Sequence, residues 1–259
     1  MMNPVAFKLF SISIMWYGIL IATGILCAFA IASYTCKIKH ISYDIMTDTI
    51  LIALPCAIIG ARLYYVAFNF SLYKDGLFQI LNIRQGGLAI HGGVIAGLIV
   101  ALLYIRHKKI KALPYFDAIA PGIIFAQAIG RWGNFFNSEA HGGPVTYEFI
   151  KNFPLFIQKG MFIEGTYYHP TFLYESFWDI MVFIILLFII KKLRTADGTV
   201  FFTYIGLYSI GRFFIEGLRT DSLMLGPLRI AQVVSLVGIA IWLIFLYYVK
   251  FIKPKVSTD

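Results

Sequence analysis

The run Ile180–Ile190, IMVFIILLFII, is apolar on every face of any regular structure that it forms. It lies within a longer apolar stretch of about twenty residues, the length of helix that crosses a hydrocarbon core of about 30 Å. The whole chain has this character, with 59% hydrophobic and 14% charged residues. A transmembrane barrel would instead show alternating segments of about ten residues. The composition therefore predicts an all-α, polytopic membrane protein.

Seven such segments divide the 259 residues, which we expect to form a single domain, 1–259. The basic residues concentrate in alternate connectors and the tail, which the positive-inside rule assigns to the cytoplasm. We therefore expect the N-terminus outside, the C-terminus in the cytoplasm and the longest connector, 134–171, on the outer side, where its length suggests a function. The predicted spans are 12–34, 45–68, 88–105, 114–133, 172–190, 199–217 and 228–249. The basic residues in question are Lys37, Lys39, Arg106, Lys108, Lys109, Lys111, Lys191, Lys192, Arg194, Lys250, Lys253 and Lys255.

The net charge of +9 does not indicate a nucleic-acid partner, because the lysines are scattered over short loops without an aromatic platform. Cys27, Cys36 and Cys56 lack metal-binding or redox spacing, and we interpret them as packing residues. The sequence shows no Walker-type loop, no zinc-type cluster and no serine, histidine and acid in a known catalytic order. We therefore expect neither a cofactor nor a metal.

Ionisable side chains cluster at the predicted outer ends of the spans. Each costs at least about 2.5–3.5 kcal/mol at mid-depth in a bilayer, so it needs a partner or a function. A single member is explained equally well by an interhelical pair or by an arginine that snorkels to lipid headgroups. The concentration of the set favours a binding site. Its members are Arg62, His91, Arg131, Glu139, Arg212, Glu216 and Arg219, with Tyr17, Asn134, Asn137 and Tyr208.

The densest part of this set is GRWGNFFNSEAHG, residues 130–142, at the end of the fourth span. Arg131 offers a fork of donors that suits a phosphate. A glycine such as Gly142 lets a lipid or a neighbouring backbone come close. The alternative is a helix C-terminus with Trp132 as an interfacial anchor, which leaves the asparagines and the acid unexplained. The residues expected to orient the arginine are Asn134, Asn137 and Glu139.

Two further stretches place polar residues on helices. Tyr208, Arg212 and Glu216 are four residues apart and share one helix face, with Arg219 three residues further on. A self-neutralised pair of Arg212 and Glu216 would explain only part of this face. His91 stands between glycines at the start of the third span, and histidine is the side chain that most often accepts or relays a proton in proteins. An interhelical hydrogen bond and close glycine packing explain that stretch equally well.

Together these stretches resemble the prolipoprotein diacylglyceryl transferases of the bacterial plasma membrane. Residues 130–142 fit that family's signature, GR-x-GNF-x-N-x-E-x-x-G, at every specified position, and the resemblance covers nearly the whole chain. HPTFLYE, residues 169–175, follows in the family's order; its proline suits a first helical turn, and we expect its histidine, tyrosine and glutamate at the membrane interface. The loop 147–168 matches no known motif, and its role is open.

The resemblance implies a multi-pass enzyme of the bacterial plasma (inner) membrane whose active site faces outward. It implies transfer of the diacylglyceryl group of phosphatidylglycerol to the lipobox cysteine of a prolipoprotein, with release of glycerol 1-phosphate, the first step of lipoprotein maturation. The acceptor cysteine then belongs to the substrate. The polar set suits this chemistry, because a thiol must ionise and the charge of a departing phosphate must be held.

Arg131 and Arg212 are expected to hold the phosphate, and His91 to accept or relay the thiol proton. Glu139 or solvent is the alternative base, and Tyr17 is equally explained as an interfacial tyrosine. The predicted catalytic residues are Tyr17, His91, Arg131, Glu139 and Arg212. The predicted substrate-binding residues are Arg131, Asn134, Asn137, Gly142, Tyr208, Glu216 and Arg219.

Two other functions remain as alternatives. A transporter or flippase of an anionic phospholipid would bind the headgroup with the same arginines without breaking a bond. A transferase that uses a nucleotide-activated donor would need a metal-binding acidic cluster, which the sequence does not show.

Overall fold

The structure is a computed structural model, and its residues form two compact units. The first comprises Met1–Lys39 with Phe116–Asp259, and the second comprises His40–Tyr115. Action of the whole chain as one domain stays a prediction. The residues that the structure describes are 2–10, 12–73, 77–82, 86–192 and 195–252. Three of the predicted cytoplasmic cations lie outside them: Arg194, Lys253 and Lys255.

Each of the seven predicted apolar segments contains a long helix, and most of the helix ends lie close to the predicted ones. The described helices are α1 (Trp16–Lys39), α2 (Tyr43–Phe68), α3 (Ile90–His107), α4 (Ala112–Asn137), α5 (Tyr147–Ile150), α6 (Leu155–Gly160), α7 (Thr171–Lys192), α8 (Thr199–Glu216) and α9 (Ile230–Tyr247). Among the described residues, six helices are long and apolar enough to cross a membrane. Helix α8 is not one of them, because its polar residues lower its mean hydropathy. The count of seven spans and the orientation of the termini stay predictions.

The start of the first predicted span was wrong. Residues 12–15 form strand β2 (Ile12–Met15), which pairs with β1 (Val5–Leu9) in an antiparallel hairpin, and the helix begins at Trp16. Ile12 and Ile14 lie on either side of a serine, which is the period of a strand. The fully apolar run that follows conceals this short alternation.

Helices α7, α8 and α9 pack closely through glycines of α8. A Cβ atom on Gly211 would lie 2.3 Å from the ring of Trp178, and one on Gly206 would lie 2.2 Å from the ring of Trp242. The indole N–H of Trp178 also donates to the carbonyl of Leu207 at 2.8 Å. Small residues let helix backbones approach in this way. The contact sets α7 and α8 side by side at the level of residues 207–211.

Both ends of α8 are held by side chains from other parts of the chain. Asp117 of α4 is fully buried, and its carboxylate accepts from the backbone N–H groups of Gly198 and Phe201, each at 2.9 Å. Lys39 pairs with the same carboxylate at 3.0 Å. An acid at a helix N-terminus satisfies free N–H groups and complements the helix dipole. At the other end the donors are Gln232, to the carbonyl of Phe213 at 3.1 Å, and Arg229, to that of Glu216.

The long connector after α4 is folded; we call residues 138–170 the cap. Its strands are β3 (Pro144–Val145), β4 (Phe162–Ile163) and β5 (Thr166–Tyr168), and they form an antiparallel sheet in the order β3-β5-β4. Helices α5 and α6 complete it. Two residues of the long helices, Phe135 and Phe172, belong to its buried core, so the cap is fixed on the ends of α4 and α7.

In the second unit, α2 and α3 lie in close contact. A Cβ atom on Gly92 would lie 2.4 Å from the carbonyl oxygen of Gly60. Gly93 and Gly97 both face Ala57, where a Cβ would meet its nearest atom at 3.3 Å. The glycines near His91 therefore serve helix packing.

Candidate functional site

One carboxylate, Glu175 of α7, holds three arginines together. Its Oε2 lies 2.6 Å from Nε of Arg131, and its Oε1 lies 2.8 Å from Nη1 of Arg212 and 3.6 Å from Nη1 of Arg219. Glu175 is only 5% exposed. A buried carboxylate needs such partners, because an unpaired charge is costly away from water. We call Arg131, Glu175, Arg212, Glu216 and Arg219 the arginine cluster.

Two further acids balance the cluster. Glu216 is buried, with Oε2 at 2.5 Å from Nη2 of Arg212. Asp221 accepts two hydrogen bonds from Arg219, at 2.9 and 2.8 Å. Burial alone would raise the pKa of Asp221, but the hydrogen bonds and charge of Arg219 hold it below its usual value. The predicted pair of Arg212 and Glu216 is thus one link in a larger network.

The arginines keep donors that the network does not use. Arg131 donates from Nη2 to the hydroxyl of Tyr208 at 3.3 Å, and its Nη1 has no hydrogen bond among the described residues. The Nε group of Arg212 is likewise unengaged within the described part of the chain. The side chains are 21% and 18% exposed, so both can be reached. Charged donors of this kind bind the oxygens of a phosphate strongly.

The side-chain amides in the last turn of α4 do not contact Arg131 as expected. The side chains of Asn134 and Asn137 both donate to Oε1 of Glu139, at 3.1 and 3.3 Å. The partners of Arg131 are Glu175 and Tyr208 instead. The reason is the turn that ends α4, which points Glu139 back to the helix end. The three residues form a separate polar group beside the cluster, and their roles toward a substrate stay predictions.

This turn is strained and firmly held. Ser138 and Ala140 have φ angles of 54° and 57°, in the left-handed region that side chains other than glycine's rarely adopt. The hydroxyl of Thr171 donates to the carbonyl of Ala140 at 2.6 Å. The N–H of Gly142 donates to the carbonyl of His169 at 3.0 Å, and a Cβ here would lie 2.6 Å from that residue's Cβ. Gly142 therefore admits a neighbouring backbone, and strain of this kind is common at functional sites.

Two aromatic residues near Arg131 have defined contacts. The ring of Tyr17 covers Gly133, where a Cβ would lie 2.5 Å from it. The indole N–H of Trp132 donates to the hydroxyl of Ser176 at 3.1 Å, and its ring packs edge-on against Phe172. Trp132 thus joins α4 to α7 beside the cluster. An interfacial anchor would not need these contacts.

Arg62, in the second unit, is a structural residue and not a free cation. Its guanidinium donates five hydrogen bonds of 2.7–3.1 Å to backbone carbonyls and lies 5.2 Å from the ring centre of Tyr73. Gly87 has φ 76°, and a Cβ there would lie 2.3 Å from Nη1 of Arg62. The expectation that Arg62 belongs with the binding set was therefore wrong, because its donors are already used. The acceptors are Gln79, Ile80, Asn82, Gly86 and Gly87.

His91 also lies in the second unit, in the first turn of α3. Its side chain is exposed, and its ring centre lies 6.3 Å from that of Tyr64. Its predicted role as a proton acceptor stays a prediction.

Two acids of α7 were not among the predicted site residues. The glutamate of HPTFLYE was expected at the membrane interface, whereas Glu175 is buried and pairs with all three arginines of the cluster. Asp179, one turn along the same helix, is 2% exposed, and its Oδ2 has no hydrogen-bond partner. The sequence does carry a signal for these acids. Their spacing of four residues places both on one helix face, the face that also carries the buried Val182 and Leu186.

The other polar residues of HPTFLYE contact each other. The Nδ1 atom of His169 and the hydroxyl of Tyr174 lie 3.3 Å apart. Burial lowers the pKa of His169, which favours its neutral form. As for metals, the described part of the chain contains no group of three or more His, Cys, Asp or Glu side chains that could hold an ion. The prediction that the protein needs neither metal nor cofactor stays a prediction.

Comparison with known proteins decides the family. The profile of the family described as prolipoprotein diacylglyceryl transferase matches residues 4–248. The chain belongs to the prolipoprotein diacylglyceryl transferase family. It is 58% identical over 246 residues to a protein of Clostridium botulinum (strain 657 / Type Ba4), covering 95% of this chain and 98% of the relative. It is 57% identical over 249 residues to one of Clostridium kluyveri (strain NBRC 12016), covering 96% and 97%.

Both relatives carry the name phosphatidylglycerol–prolipoprotein diacylglyceryl transferase. The matched region includes every residue of the arginine cluster, the cap and both ends of α8. The geometry described above is therefore that of a prolipoprotein diacylglyceryl transferase.

Proposed function

We propose that this protein transfers the diacylglyceryl group of phosphatidylglycerol to the thiol of the lipobox cysteine of prolipoproteins. The other product is glycerol 1-phosphate. The names of the relatives supply the reaction, and the arginine cluster is the observation that carries the proposal for this chain. A group of three partly buried arginines, two of which keep unused donors, suits an anionic lipid headgroup.

The reaction makes two electrostatic demands. The thiol, with an ordinary pKa of about 8.5, must lose its proton to attack the glyceryl carbon. A C–S bond then forms, the C–O bond to the phosphate breaks, and its electron pair leaves with the phosphate. The second demand is therefore to hold that growing charge, and fixed donors in a water-poor site do this best.

Arg131 and Arg212 meet the second demand in this proposal. Nη1 of Arg131 and Nε of Arg212 can bind phosphate oxygens while their ion pairs with Glu175 persist. Tyr208 and Glu216 fix the two guanidinium groups, and Arg219 adds charge from the turn beyond α8. Asn134, Asn137 and Glu139 are assigned to the glycerol end of the headgroup, together with Tyr17 and Gly142.

The acceptor of the thiol proton is a separate hypothesis. His91 is the candidate, with Glu139 and solvent as alternatives. The replacement His91→Gln tests it, since an unchanged dependence of turnover on pH would eliminate the histidine as the base. We further propose that the cluster faces the outer side of a bacterial plasma (inner) membrane. The concentration of lysines in the opposite connectors supports this orientation.

The decisive experiment uses the purified protein in vesicles that contain phosphatidylglycerol. A lipobox peptide with cysteine is added, and a peptide with serine at that position is the control. Release of glycerol phosphate and a thioether-linked peptide with cysteine alone would support the transferase. If phosphatidylglycerol stabilises the folded protein against thermal unfolding but neither peptide gives product, the transferase is refuted and a transporter or flippase takes its place.

A further inference from the structure

Asp179 of α7 is a buried acid that the arginines leave without an ion pair. Among the described residues, Glu175, Glu216 and Asp221 each lie within 4.0 Å of an arginine nitrogen, and Asp179 does not. Its Oδ2 has no hydrogen-bond partner, and the residue is 2% exposed. It therefore lies in the cluster's surroundings as an unpartnered carboxyl group.

The groups that face Asp179 come from three helices. Arg131 of α4, Arg212 of α8 and Glu175 of its own helix are within electrostatic range. Tyr204 of α8 is also within range, but its hydroxyl donates to Oε1 of Gln127 at 3.2 Å. Because Asp179 is one helical turn from Glu175, the two carboxyl groups lie on the same face of α7, and Asp179 is within electrostatic range of both arginines that we assign to the phosphate.

Charge counting shows why this carboxyl matters. Arg131, Arg212 and Arg219 pair with Glu175, Glu216 and Asp221, and Arg229 donates to the backbone carbonyl of Glu216, so an ionised Asp179 adds a negative charge with no ion-pair partner among the described residues. A bound phosphodiester adds a second. Two neighbouring negative charges in a buried site repel each other, and a proton on one of them removes that repulsion and part of the cost of burial. Asp179 is the one acid of the four that can take a proton without breaking an ion pair.

We propose that Asp179 carries a proton while the phosphodiester is bound and donates it, as a general acid, to the departing phosphate. This inference rests on the proposed function. As the C–S bond forms and the C–O bond breaks, the phosphate gains a second negative charge. The proton of Asp179 passes to the phosphate oxygen, and glycerol phosphate leaves with a single charge. The thiol gives one proton to the base in each turnover, and Asp179 takes up one proton before the next, so protons are conserved.

The main test compares Asp179→Asn with the wild-type protein, with phosphatidylglycerol and a cysteine lipobox peptide across a range of pH. The amide keeps the size and neutrality of the protonated acid but cannot transfer a proton. We expect turnover to fall about 100-fold or more, as for other general acids, with the KM for phosphatidylglycerol little changed. The fall of kcat at high pH, where the wild-type acid loses its proton, should disappear.

Matched variants give the controls. Asp48→Asn removes an exposed carboxylate, bonded to the hydroxyl of Tyr104 at 2.8 Å, and should behave like the wild type. Asp179→Glu keeps a proton donor and should recover part of the turnover with the alkaline fall present. Tyr208→Phe tests the tyrosine as an alternative proton donor. If the fall of kcat at high pH disappears in that variant alone, the proposal is overturned.

Two other results would overturn it. One is a kcat for Asp179→Asn equal to that of the wild type; the other is a loss confined to KM, as expected of a counter-charge. If the asparagine variant does not fold, the wild type is assayed with a diacylglyceryl p-nitrophenyl phosphate, whose departing phosphate is a weaker base. A smaller alkaline fall than with phosphatidylglycerol supports the acid, and an equal one refutes it. Absence of product from the wild type would refute the proposed function itself.

Discussion

Two arginine environments in this molecule look alike in the sequence and differ in the structure. Arg62 in the second unit and Arg131 in the first each lie on a long helix and are largely buried. Arg62 spends all five of its N–H donors on neutral backbone carbonyls. Arg131 contacts a carboxylate and a tyrosine and keeps Nη1 unused by the described residues.

The difference teaches how to separate a structural arginine from a binding one. Carbonyls at fixed positions saturate the guanidinium and order the chain that carries them, so the side chain has nothing left to offer a ligand. Carboxylates orient the guanidinium through part of its fork and balance its charge. Whether its N–H donors are already engaged therefore distinguishes a structural arginine from a binding one better than burial does.

The largest effect is expected at Arg131. Arg131→Lys keeps the charge but cannot supply the planar fork that contacts Glu175, Tyr208 and the proposed phosphate at once. We expect turnover to fall about 100- to 1000-fold, as when one donor to a developing anion is removed. Release of glycerol phosphate measures this directly.

Arg106→Lys is the control for that substitution, because Arg106 is exposed in the last turn of α3. It should leave turnover unchanged. Near-normal turnover of Arg131→Lys would break the comparison, since Arg131 would then be no more a binding residue than Arg62.

A smaller effect, on stability, is expected at Arg62. Arg62 uses five donors and lysine has three, so Arg62→Lys leaves some of the backbone carbonyls that now accept from Arg62 without a partner. We expect the free energy of unfolding to fall by about 3 kcal/mol, since hydrogen bonds to a charged group contribute about 1.5–3 kcal/mol each. Thermal unfolding in detergent measures the change. Lower turnover per folded molecule at unchanged stability would contradict this reading.

Hydropathy predicted the helices of this fold well, because a membrane-length apolar run leaves little choice of structure. It failed at residues 12–15, where a strand adjoins such a run. The cap was also beyond prediction, because its elements are short and its core includes Phe135 and Phe172, which belong to the helices on either side of it.

The site was half predictable. The spacing of Tyr208, Arg212 and Glu216 predicted that they share one helix face. In the structure that face lies in the arginine cluster. The central role of Glu175 was not predicted, because in the sequence it resembles any acidic residue near the start of a helix. Its importance comes from three partners 44, 37 and 44 positions away, at Arg131, Arg212 and Arg219, which no local pattern records.

The smallest effect is the pH dependence of the pair of Arg219 and Asp221. Carboxylates titrate and carbonyls do not, so this pair sharpens the contrast with Arg62. Arg219 holds the pKa of Asp221 below its usual value of about 3.9, so the ionised acid stabilises the fold above about pH 4. That contribution is lost as the pH falls through the lower, folded-state pKa.

Asp221→Asn should therefore cost less than about 1 kcal/mol at pH 7, because the side chain is 50% exposed and solvent screens the pair. Thermal midpoints of the variant and the wild type at pH 7, 5 and 3 measure the difference, which should shrink only at the lowest pH. The deficit of Arg62→Lys should stay constant over the same range. A deficit of Asp221→Asn that persisted below the folded-state pKa would mean that its hydrogen-bond geometry, and not its charge, supports Arg219.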